Sequence, residues 1–240
     1  MSAFSNPYAV PVAAAQESER SAFLRKVGAW TFGGLMIAGA ASLASMTALL
    51  MVPALGSQYI ALFVMLGAIF ASRFIGGSLV YSESAATRVL GFVAGNALQG
   101  VAMGYLLLVA ILMSAELYGN PLAMLGQAVV LVGLTVLGIV AYLLTGPKNL
   151  SLVRGALAAL ALPMLGLMVV TAIWPVGGVI GIVLSLAFVG VSIGGLLFNL
   201  NEVMHRMSTD QVVPAAYHVS IGILVLFWNV LSLLMRLNRR

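Results

Sequence analysis

The chain has 240 residues, of which 62% are hydrophobic and 7% are charged. A soluble globule of this length cannot bury so large an apolar fraction, so the composition excludes a soluble protein and makes the lipid bilayer the solvent. The net charge of +5 would suggest a nucleic-acid partner for a soluble protein, but here the basic residues lie at the ends of apolar segments, where membrane topology accounts for them. The chain has no cysteine, which removes disulfides and thiolate metal sites.

Residues 1–26 precede the first long apolar segment, and we expect them to be disordered or interfacial and to lie in the cytosol. Met1–Gln16 contains two prolines and no charged residue, and it lacks the basic start of a signal peptide. Glu17–Lys26 is charged and predicts a short amphipathic turn at the membrane surface. We therefore expect no folded element before the first membrane span.

Seven apolar segments follow, each long enough to cross the roughly 30 Å hydrocarbon core as a helix. They are continuous rather than alternating, which favours helices over a β-barrel. We therefore predict an all-α, polytopic membrane protein with a seven-helix transmembrane domain over residues 27–237, a basic tail over 238–240 and no separate soluble domain. The predicted spans are Val27–Val52, Gln58–Tyr81, Arg88–Ser114, Leu122–Thr145, Leu152–Trp174, Val176–Leu200 and Pro214–Leu237.

The basic residues predict the orientation of the bundle. With the N-terminus in the cytosol, the three outer connections hold no lysine or arginine, as the positive-inside rule requires. Seven full crossings place the arginines of the C-terminal tail outside, so a last segment that turns back to the cytosol stays open as an alternative. The basic residues predicted on the cytosolic side are Arg20, Arg25, Lys26, Arg73, Arg88, Lys148, Arg154 and Arg206.

Glycine spacing predicts how two of the helices pack. Pairs of small residues four apart let helix backbones approach closely, so we expect the third and sixth spans to be buried in the bundle. Pro163 lies inside the fifth span, where it predicts a kink. The glycine pairs are Gly91 with Gly95 and Gly100 with Gly104 in the third span, and Gly177 with Gly181 and Gly190 with Gly194 in the sixth.

Polar residues within the predicted spans gather in the cytosolic half of the bundle. Arg73 lies about 12 Å deep at roughly 1.5 Å per residue, where a lone arginine costs several kcal/mol unless it snorkels to the headgroups or finds a partner. Its candidate partners are Asn199, Glu202 and Glu83, and snorkelling is the alternative. Glu202 belongs to a polar connection predicted over Asn201–Val213. The other candidate residues of a polar cavity at this depth are Asn96, Gln99 and His218.

Six stretches of the chain resemble the transmembrane Bax inhibitor family, in the same order along the sequence. The resemblance covers residues 21–237 and implies a seven-helix bundle with the last helix near its centre. It is closest to a divergent, bacterial type of member, which implies a location in the bacterial inner membrane. The stretches are FLRKV (23–27), ASR (71–73), ALQGVAMG (97–104), TGPKNLS (145–151), GGLLFNL (194–200) and LVLFWNVLSLLMRL (224–237).

The resemblance also implies a function. Some members of the family are similar to pH-gated calcium leak channels, in which two aspartates of the last two helices share a proton and an arginine of the second helix latches onto one of them. Arg73 matches that arginine, but the aspartates fall on Asn199 and Gly222, and two further acidic positions fall on about Met65 and on Asn149. Because an amide and a glycine cannot form a titrating carboxyl pair, the resemblance implies a calcium or cation leak with weakened or absent proton gating.

Two other functions stay open at this level. The loss of the acidic residues favours a non-conducting partner or regulator of a membrane protease or another membrane assembly. A minor alternative is an intramembrane serine hydrolase, because residues 190–194 spell GxSxG around Ser192 and His218 lies on the next helix. Helix packing explains those glycines better, so we expect no enzyme, no metal site and no cofactor. His218 or Glu202 could replace the missing aspartates as a titrating group. The expected partners are the lipid bilayer, calcium or other cations and other membrane proteins, but not nucleic acid.

Overall fold

A computed structural model of the chain describes residues 11–52, 57–145, 150–173 and 177–238. Residues 1–10, the loop that holds Asn149 and the last two arginines of the predicted tail lie outside the described residues. Within the described ranges the protein has seven helices and no strand, which confirms the all-α class. The helices are α1 (Glu17–Met51), α2 (Gln58–Ala71), α3 (Ala85–Tyr118), α4 (Ala123–Leu144), α5 (Ser151–Ile173), α6 (Gly178–His205) and α7 (Val212–Asn238).

Helix α2 does not end at Ala71. It continues as a π-helical turn over Ser72–Gly76 and a last α-helical turn over Gly77–Leu79. The amide of Gly77 reaches the carbonyl of Ser72, five residues back, and this wider bond defines the π-helical turn. Such bulges are frequent at functional sites, and this one carries Arg73.

Six of the described helices are long and apolar enough to cross a membrane, which confirms a polytopic membrane protein. They are α1, α2 with its continuation (Ile60–Leu79), α3, α4, α6 and α7. Helix α5 has 23 residues with Pro163 inside it, but its described apolar stretch is only Ser151–Leu160. The fifth crossing and its kink therefore stay predictions.

The helices at the two ends of the chain differ from the predicted boundaries. Helix α1 begins at Glu17 rather than at Val27, so the charged segment expected as a short turn is the first part of the span helix. Helix α6 runs to His205, and the carbonyl of Glu202 accepts hydrogen bonds from two following amides, each at 2.8 Å. The polar connection predicted over Asn201–Val213 is therefore reduced to 206–211, because polar side chains outside the hydrocarbon do not interrupt helical backbone bonding.

Part of the predicted disordered lead-in is ordered. Pro11 forms an isolated bridge with Ser208, and the amide of Val12 donates a hydrogen bond to the carbonyl of Met207 at 2.9 Å. The side chain of Val12 is fully buried. The expectation of disorder is wrong for this short stretch because an uncharged, apolar segment can bury a side chain against the connection between α6 and α7.

The described residues divide into two compact units, each containing parts of several helices. Unit 1 comprises Met1–Leu107 and Asn201–Ile221, and unit 2 comprises Leu108–Leu200 and Gly222–Arg240. The N-terminal parts of α3 and α7 therefore belong to unit 1 and their C-terminal parts to unit 2. We describe each unit by itself.

Helices α1 and α3 run parallel in unit 1 and approach each other closely at glycines of α3. A Cβ atom on Gly100 would overlap the backbone of Ala38, and one on Gly104 would lie 2.6 Å from the side chain of Ser45. The hydroxyl of Ser45 also donates a hydrogen bond to the carbonyl of Val101 at 3.1 Å. Contacting residue numbers rise together along both helices, which makes the pair parallel.

The other glycine pair of α3 faces the continuation of α2. A Cβ on Gly91 would lie 2.5 Å from that of Leu79, and a Cβ on Gly76 would lie 2.7 Å from the Cα of Gly95. Here the contacting residue numbers run in opposite directions, so α2 and α3 are antiparallel. The prediction that the third span is closely packed is therefore confirmed at all four of its glycines.

The sixth span shows no such close approach at three of the four glycines of its pairs, whereas Gly181 is buried. A Cβ on Gly177 or on Gly190 would meet nothing within 4 Å, and one on Gly194 would make only an ordinary contact with Leu157 at 3.8 Å. The glycine spacing of α6 would allow another helix to approach closely, but within the described residues no backbone atom of another helix lies near Gly177, Gly190 or Gly194. Gly190 is instead exposed on the surface of α6.

Helix α7 is long and apolar enough to cross the membrane, and the side on which the C-terminal arginines lie stays a prediction. It is one continuous helix of 27 residues. Near its start, His218 contacts Tyr81, which precedes α3, and at its end Asn238 accepts a hydrogen bond from the hydroxyl of Tyr118, the last residue of α3, at 2.9 Å. The end of α7 therefore lies at the same level as the end of α3.

Candidate functional site

Three helices of unit 1 meet at the side chain of Tyr217, in the first turns of α7. Tyr217 is 2% exposed, and its ring occupies space that two glycines leave open. A Cβ on Gly95 would lie 2.5 Å from the ring, and one on Gly76 would lie 3.0 Å from the hydroxyl oxygen. The hydroxyl donates a hydrogen bond to the carbonyl of Ser72 in the π-helical turn, and the Ser72 hydroxyl donates one to the carbonyl of Gly95 at 2.8 Å. These bonds join α2, α3 and α7 at one level.

A second contact lies beside Tyr217. The hydroxyl oxygen of Tyr81, just after the end of the second span, lies 2.5 Å from Nε2 of His218. Burial raises the pKa of Tyr81 and the Glu202 carboxylate adds a smaller rise, so the phenol stays protonated at neutral pH. The hydroxyl and Nε2 share a hydrogen bond whose donor is set by the tautomer of His218. This hydrogen bond ties the end of α2 to the start of α7.

Arg73 lies next to this junction, on the π-helical turn, but its side chain is exposed. Among the described residues it makes no hydrogen bond or salt bridge, although its charge acts on Tyr217 and His218. Its predicted partner Glu202 pairs instead with Arg206, one turn further along the chain, at 3.1 Å. Both of those side chains are partly exposed, so their salt bridge contributes at most about 1 kcal/mol.

Asn96 is fully buried and turns towards α1 rather than towards the π-helical turn. Its Nδ2 donates a hydrogen bond to the carbonyl of Phe92 at 2.9 Å, and its Oδ1 lies 3.0 Å from the position of a Cβ on Gly34. Within the described part of the chain, three buried side-chain oxygens make no hydrogen bond: Asn96 Oδ1, Gln99 Oε1 and Thr31 Oγ1. A buried oxygen left in this state costs about 1–3 kcal/mol, so each of them favours a water molecule or a cation as a partner.

The two positions that the resemblance aligns with an aspartate pair are neighbours within unit 2. A Cβ on Gly222 would lie 3.6 Å from Nδ2 of Asn199 and 2.9 Å from Cδ1 of Leu196. Two carboxyl groups at these positions would be close enough to share a proton. The chain has an amide and a hydrogen atom there instead.

Ser192, the central residue of the GxSxG segment, is held by structural hydrogen bonds in unit 2. Its hydroxyl donates to the carbonyl of Phe188 and accepts from Nδ2 of Asn229, each at 2.7 Å. The segment lies in the middle of α6, without the sharp turn that exposes a nucleophilic serine. These bonds account for Ser192 as a residue that joins α6 to α7.

Sequence reasoning missed the residues that hold the junction, namely Tyr217, Tyr81 and Ser72. The available signal was Gly76 beside the arginine and Gly95 in the third span, because glycines on facing helices leave room for a large ring. Nothing in the sequence says which aromatic side chain fills that room. The structure supplies Tyr217 from a helix more than a hundred residues away.

Comparison with known proteins places this geometry in context. A family model described as "Inhibitor of apoptosis-promoting Bax1" matches residues 20–240, which is nearly the whole chain. No curated protein and no solved structure matches the chain. The family match includes helices α2 to α7 in full and α1 from its fourth residue, and it extends over parts of both units.

Proposed function

Since this chain belongs to the Bax inhibitor family, we propose that it forms a slow leak for calcium or other cations across its membrane, without gating by a carboxylate pair. The family match over residues 20–240 shows that the chain belongs to this family, in agreement with the resemblance of the six sequence stretches. The proposed leak goes beyond membership and depends on the polar groups of unit 1.

The observation that carries the proposal is the set of buried oxygens along α1 and α3. Asn96 is fully buried, Gln99 is 2% exposed and Thr31 is 7% exposed, and each has an oxygen without a hydrogen bond. Amide and hydroxyl oxygens are ligands that calcium and similar hard cations accept, usually together with water. Polar groups that face the interior of a membrane bundle can line ion or water pathways.

The absence of gating follows from the residues at the pair positions. An amide at Asn199 and no side chain at Gly222 cannot hold or lose a proton at physiological pH. His218 is already engaged by Tyr81, with 2.5 Å between Nε2 and the hydroxyl oxygen. We therefore expect the leak to change little between mildly alkaline and mildly acidic solutions.

Calcium entry into liposomes tests the leak directly. We expect vesicles with the purified protein to admit calcium several-fold faster than empty vesicles, as reported by a dye in the lumen. Replacing both Asn96 and Gln99 by leucine should reduce entry towards the empty-vesicle rate, because the substitution removes two of the unpartnered oxygens.

The matched control is Asn238→Leu, which removes an amide of unit 2 that is bonded to Tyr118 and to the Leu234 carbonyl. We expect this variant to conduct like the unchanged protein. Wild-type entry equal to that of empty vesicles would overturn the leak. If calcium entry were unchanged in the double leucine variant, the leak would stand, but the oxygens of Asn96 and Gln99 would not lie on its path.

We also propose that the N-terminus lies in the cytosol of a bacterial cell and that the protein resides in the inner membrane. The positive-inside distribution supports this orientation, and the lack of cysteine allows a direct test. Single cysteines at the exposed positions Ser84 and Pro121 lie before and after α3. A membrane-impermeant maleimide added to cells with a permeabilised outer membrane should label the Pro121→Cys variant, and the Ser84→Cys variant only after lysis. The reverse pattern would invert the orientation.

A non-conducting partner role is the second candidate, and the open face of α6 favours it. Gly190 is exposed, and a Cβ there would meet nothing, although the spacing of α6 suits close contact with another transmembrane helix. Under this alternative, a helix of another membrane protein covers the face. A pull-down from native membranes that yields only this chain, both with Gly190 and with the Gly190→Leu variant, would count against it.

A further inference from the structure

We propose that unit 1 binds one acyl chain of a membrane phospholipid in a cleft between α1, α2 and α3, near the connection of α1 to α2. The cleft has a volume of about 280 Å³. Its walls include Ala48 and Leu49 of α1, Ala61 and Met65 of α2, and Ala102 and Tyr105 of α3. This site is separate from the Tyr217 junction and independent of the proposed leak.

Small residues create the cleft. Ala61 and Ala102 form its floor, with 7% and 1% of their surfaces exposed, and their methyl groups leave room that larger side chains would fill. Val64 and Tyr105 lie at its rim and are 45% and 39% exposed. Because the floor is buried and the rim is exposed on the flank of membrane-spanning helices, the cleft opens towards lipid.

The lining determines the chemistry of the occupant. Among the described residues, no charged side chain lines the cleft, and the hydroxyl of Ser45 on its wall is already bonded to the carbonyl of Val101 at 3.1 Å. Water needs two to four polar partners in a cavity, and such a wall does not provide them. The cleft therefore suits a saturated or unsaturated hydrocarbon chain.

Depth and size agree with this occupant. Ala61 and Met65 lie within the first two turns of α2, which places them roughly 5–10 Å from its start at 1.5 Å per residue, inside the hydrocarbon layer. The volume of 280 Å³ exceeds the roughly 150 Å³ of an engineered apolar cavity that admits benzene, so several methylene groups fit. Lipid tails are as apolar as leucine, so moving an acyl chain from the bilayer into the cleft removes nothing from water. The bound acyl chain is stabilised by van der Waals contacts with the walls of the cleft instead.

Photo-crosslinking in nanodiscs tests the site. The full-length protein is reconstituted with a phosphatidylcholine that carries a diazirine in the middle of one acyl chain, irradiated and mapped by mass spectrometry. We expect labelling at Ala48, Leu49, Ala61 and Met65 to exceed labelling at Val129 and Val130 of α4 several-fold. Those two valines are 60% exposed and serve as an ordinary lipid-facing surface. Equal labelling at both places would overturn the proposal.

Increasing the fraction of the probe in the membrane gives a test that needs no variant. Labelling in the cleft should saturate, because one chain occupies it, whereas labelling at the lipid-facing valines should rise in proportion to the probe. A proportional rise at both places would show only general contact with lipid and would contradict the site. This test stands even where a substitution prevents folding.

Substitutions in and near the cleft then test where the acyl chain binds and which chemical groups it presents. Ala48→Phe should fill the cleft and reduce its labelling several-fold, whereas Ala44→Phe, on the exposed face of the same helix one turn earlier, should leave labelling unchanged. Tyr105→Phe should also leave it unchanged, since an acyl chain accepts no hydrogen bond. Loss of labelling in Tyr105→Phe would overturn the assignment to an acyl chain and indicate a lipid with a polar group at this depth.

Discussion

Replacing Gly100 with alanine should prevent unit 1 from packing, and we expect the variant to lose its monodisperse peak in detergent or to unfold at a much lower temperature. The three atoms nearest to the new Cβ would all belong to the backbone of Ala38, so no side chain can rotate out of the way. Helix α1 would have to move away from α3 as a whole. Overpacking of this kind costs about 1–3 kcal/mol and sometimes more, which exceeds the gain of up to about 1 kcal/mol from alanine's helix propensity.

The matched controls are Gly190→Ala in α6 and Gly138→Ala in α4. Both glycines lie in helices, and a Cβ at either position would meet nothing within 4 Å. We expect these two variants to keep the stability of the unchanged protein or to gain slightly from helix propensity. Thermal unfolding in one detergent compares all three. A Gly100→Ala variant as stable as the controls would show that α1 and α3 do not approach as closely as described.

The contrast between α3 and α6 shows which part of the packing is readable from sequence. Both helices carry glycines four residues apart, yet Gly95 and Gly100 face another backbone or ring, while Gly190 faces open space. Spacing is a property of one helix, and close packing also requires a partner at the right height. The number and class of the helices follow from apolar length alone, and for this reason they could be predicted.

The candidate site could be predicted only in part. Arg73 was identified from its depth, and it does lie beside α7, since its charge acts on Tyr217 and His218. The partner of Glu202 was not identified, because the competing Arg206 lies four residues away on the same stretch and forms its pair locally. Residues four apart on a helix are neighbours and form ion pairs readily. The depth of a residue in the membrane therefore does not decide between a local partner and a distant one.

The π-helical turn of α2 combines an irregular local backbone with a tertiary contact to α7. The Ser72 carbonyl accepts the Gly77 amide and also the hydroxyl of Tyr217, so the wider turn offers one acceptor to two donors. An ordinary α-helical turn would direct this carbonyl to Gly76 along the helix axis. The local irregularity therefore follows from a tertiary contact with α7, and no property of the ASR stretch predicts it.

Replacing Asn199 and Gly222 together with aspartates should make calcium entry depend on pH, because the two positions would then hold a titrating carboxyl pair. We expect calcium entry into liposomes to change several-fold between mildly alkaline and mildly acidic solutions in the double variant, and to stay nearly constant in the unchanged protein. The two positions are neighbours, with 3.6 Å between a Cβ on Gly222 and Nδ2 of Asn199. Two carboxyl groups at this separation cannot both ionise easily, so the pair holds one proton and releases it within an accessible range.

Sterics allow the substitution at Gly222. The nearest atom to the new Cβ is Cδ1 of Leu196 at 2.9 Å, which is the end of a flexible side chain and can rotate away. The matched control pairs Asn199 with Gly222→Asn, which has the shape of aspartate but does not titrate. We expect this control to conduct without a pH response, which is also the result expected for the unchanged protein.

A second measurement separates failure of the pair from failure of the leak. Infrared difference spectra recorded on changing pH should show, beyond the bands of the six Asp and Glu carboxyl groups that every variant holds, an additional carbonyl band of a protonated carboxyl group in the double aspartate variant, and this additional band should be absent from the Gly222→Asn control. The additional band without a change in calcium entry would mean that the pair titrates but does not control a pathway. If neither signal appears, the two side chains do not share a proton, and the alignment of Asn199 and Gly222 with the family's aspartates is wrong. A pH response of entry that needs both aspartates would instead connect the proposed absence of gating to these two positions.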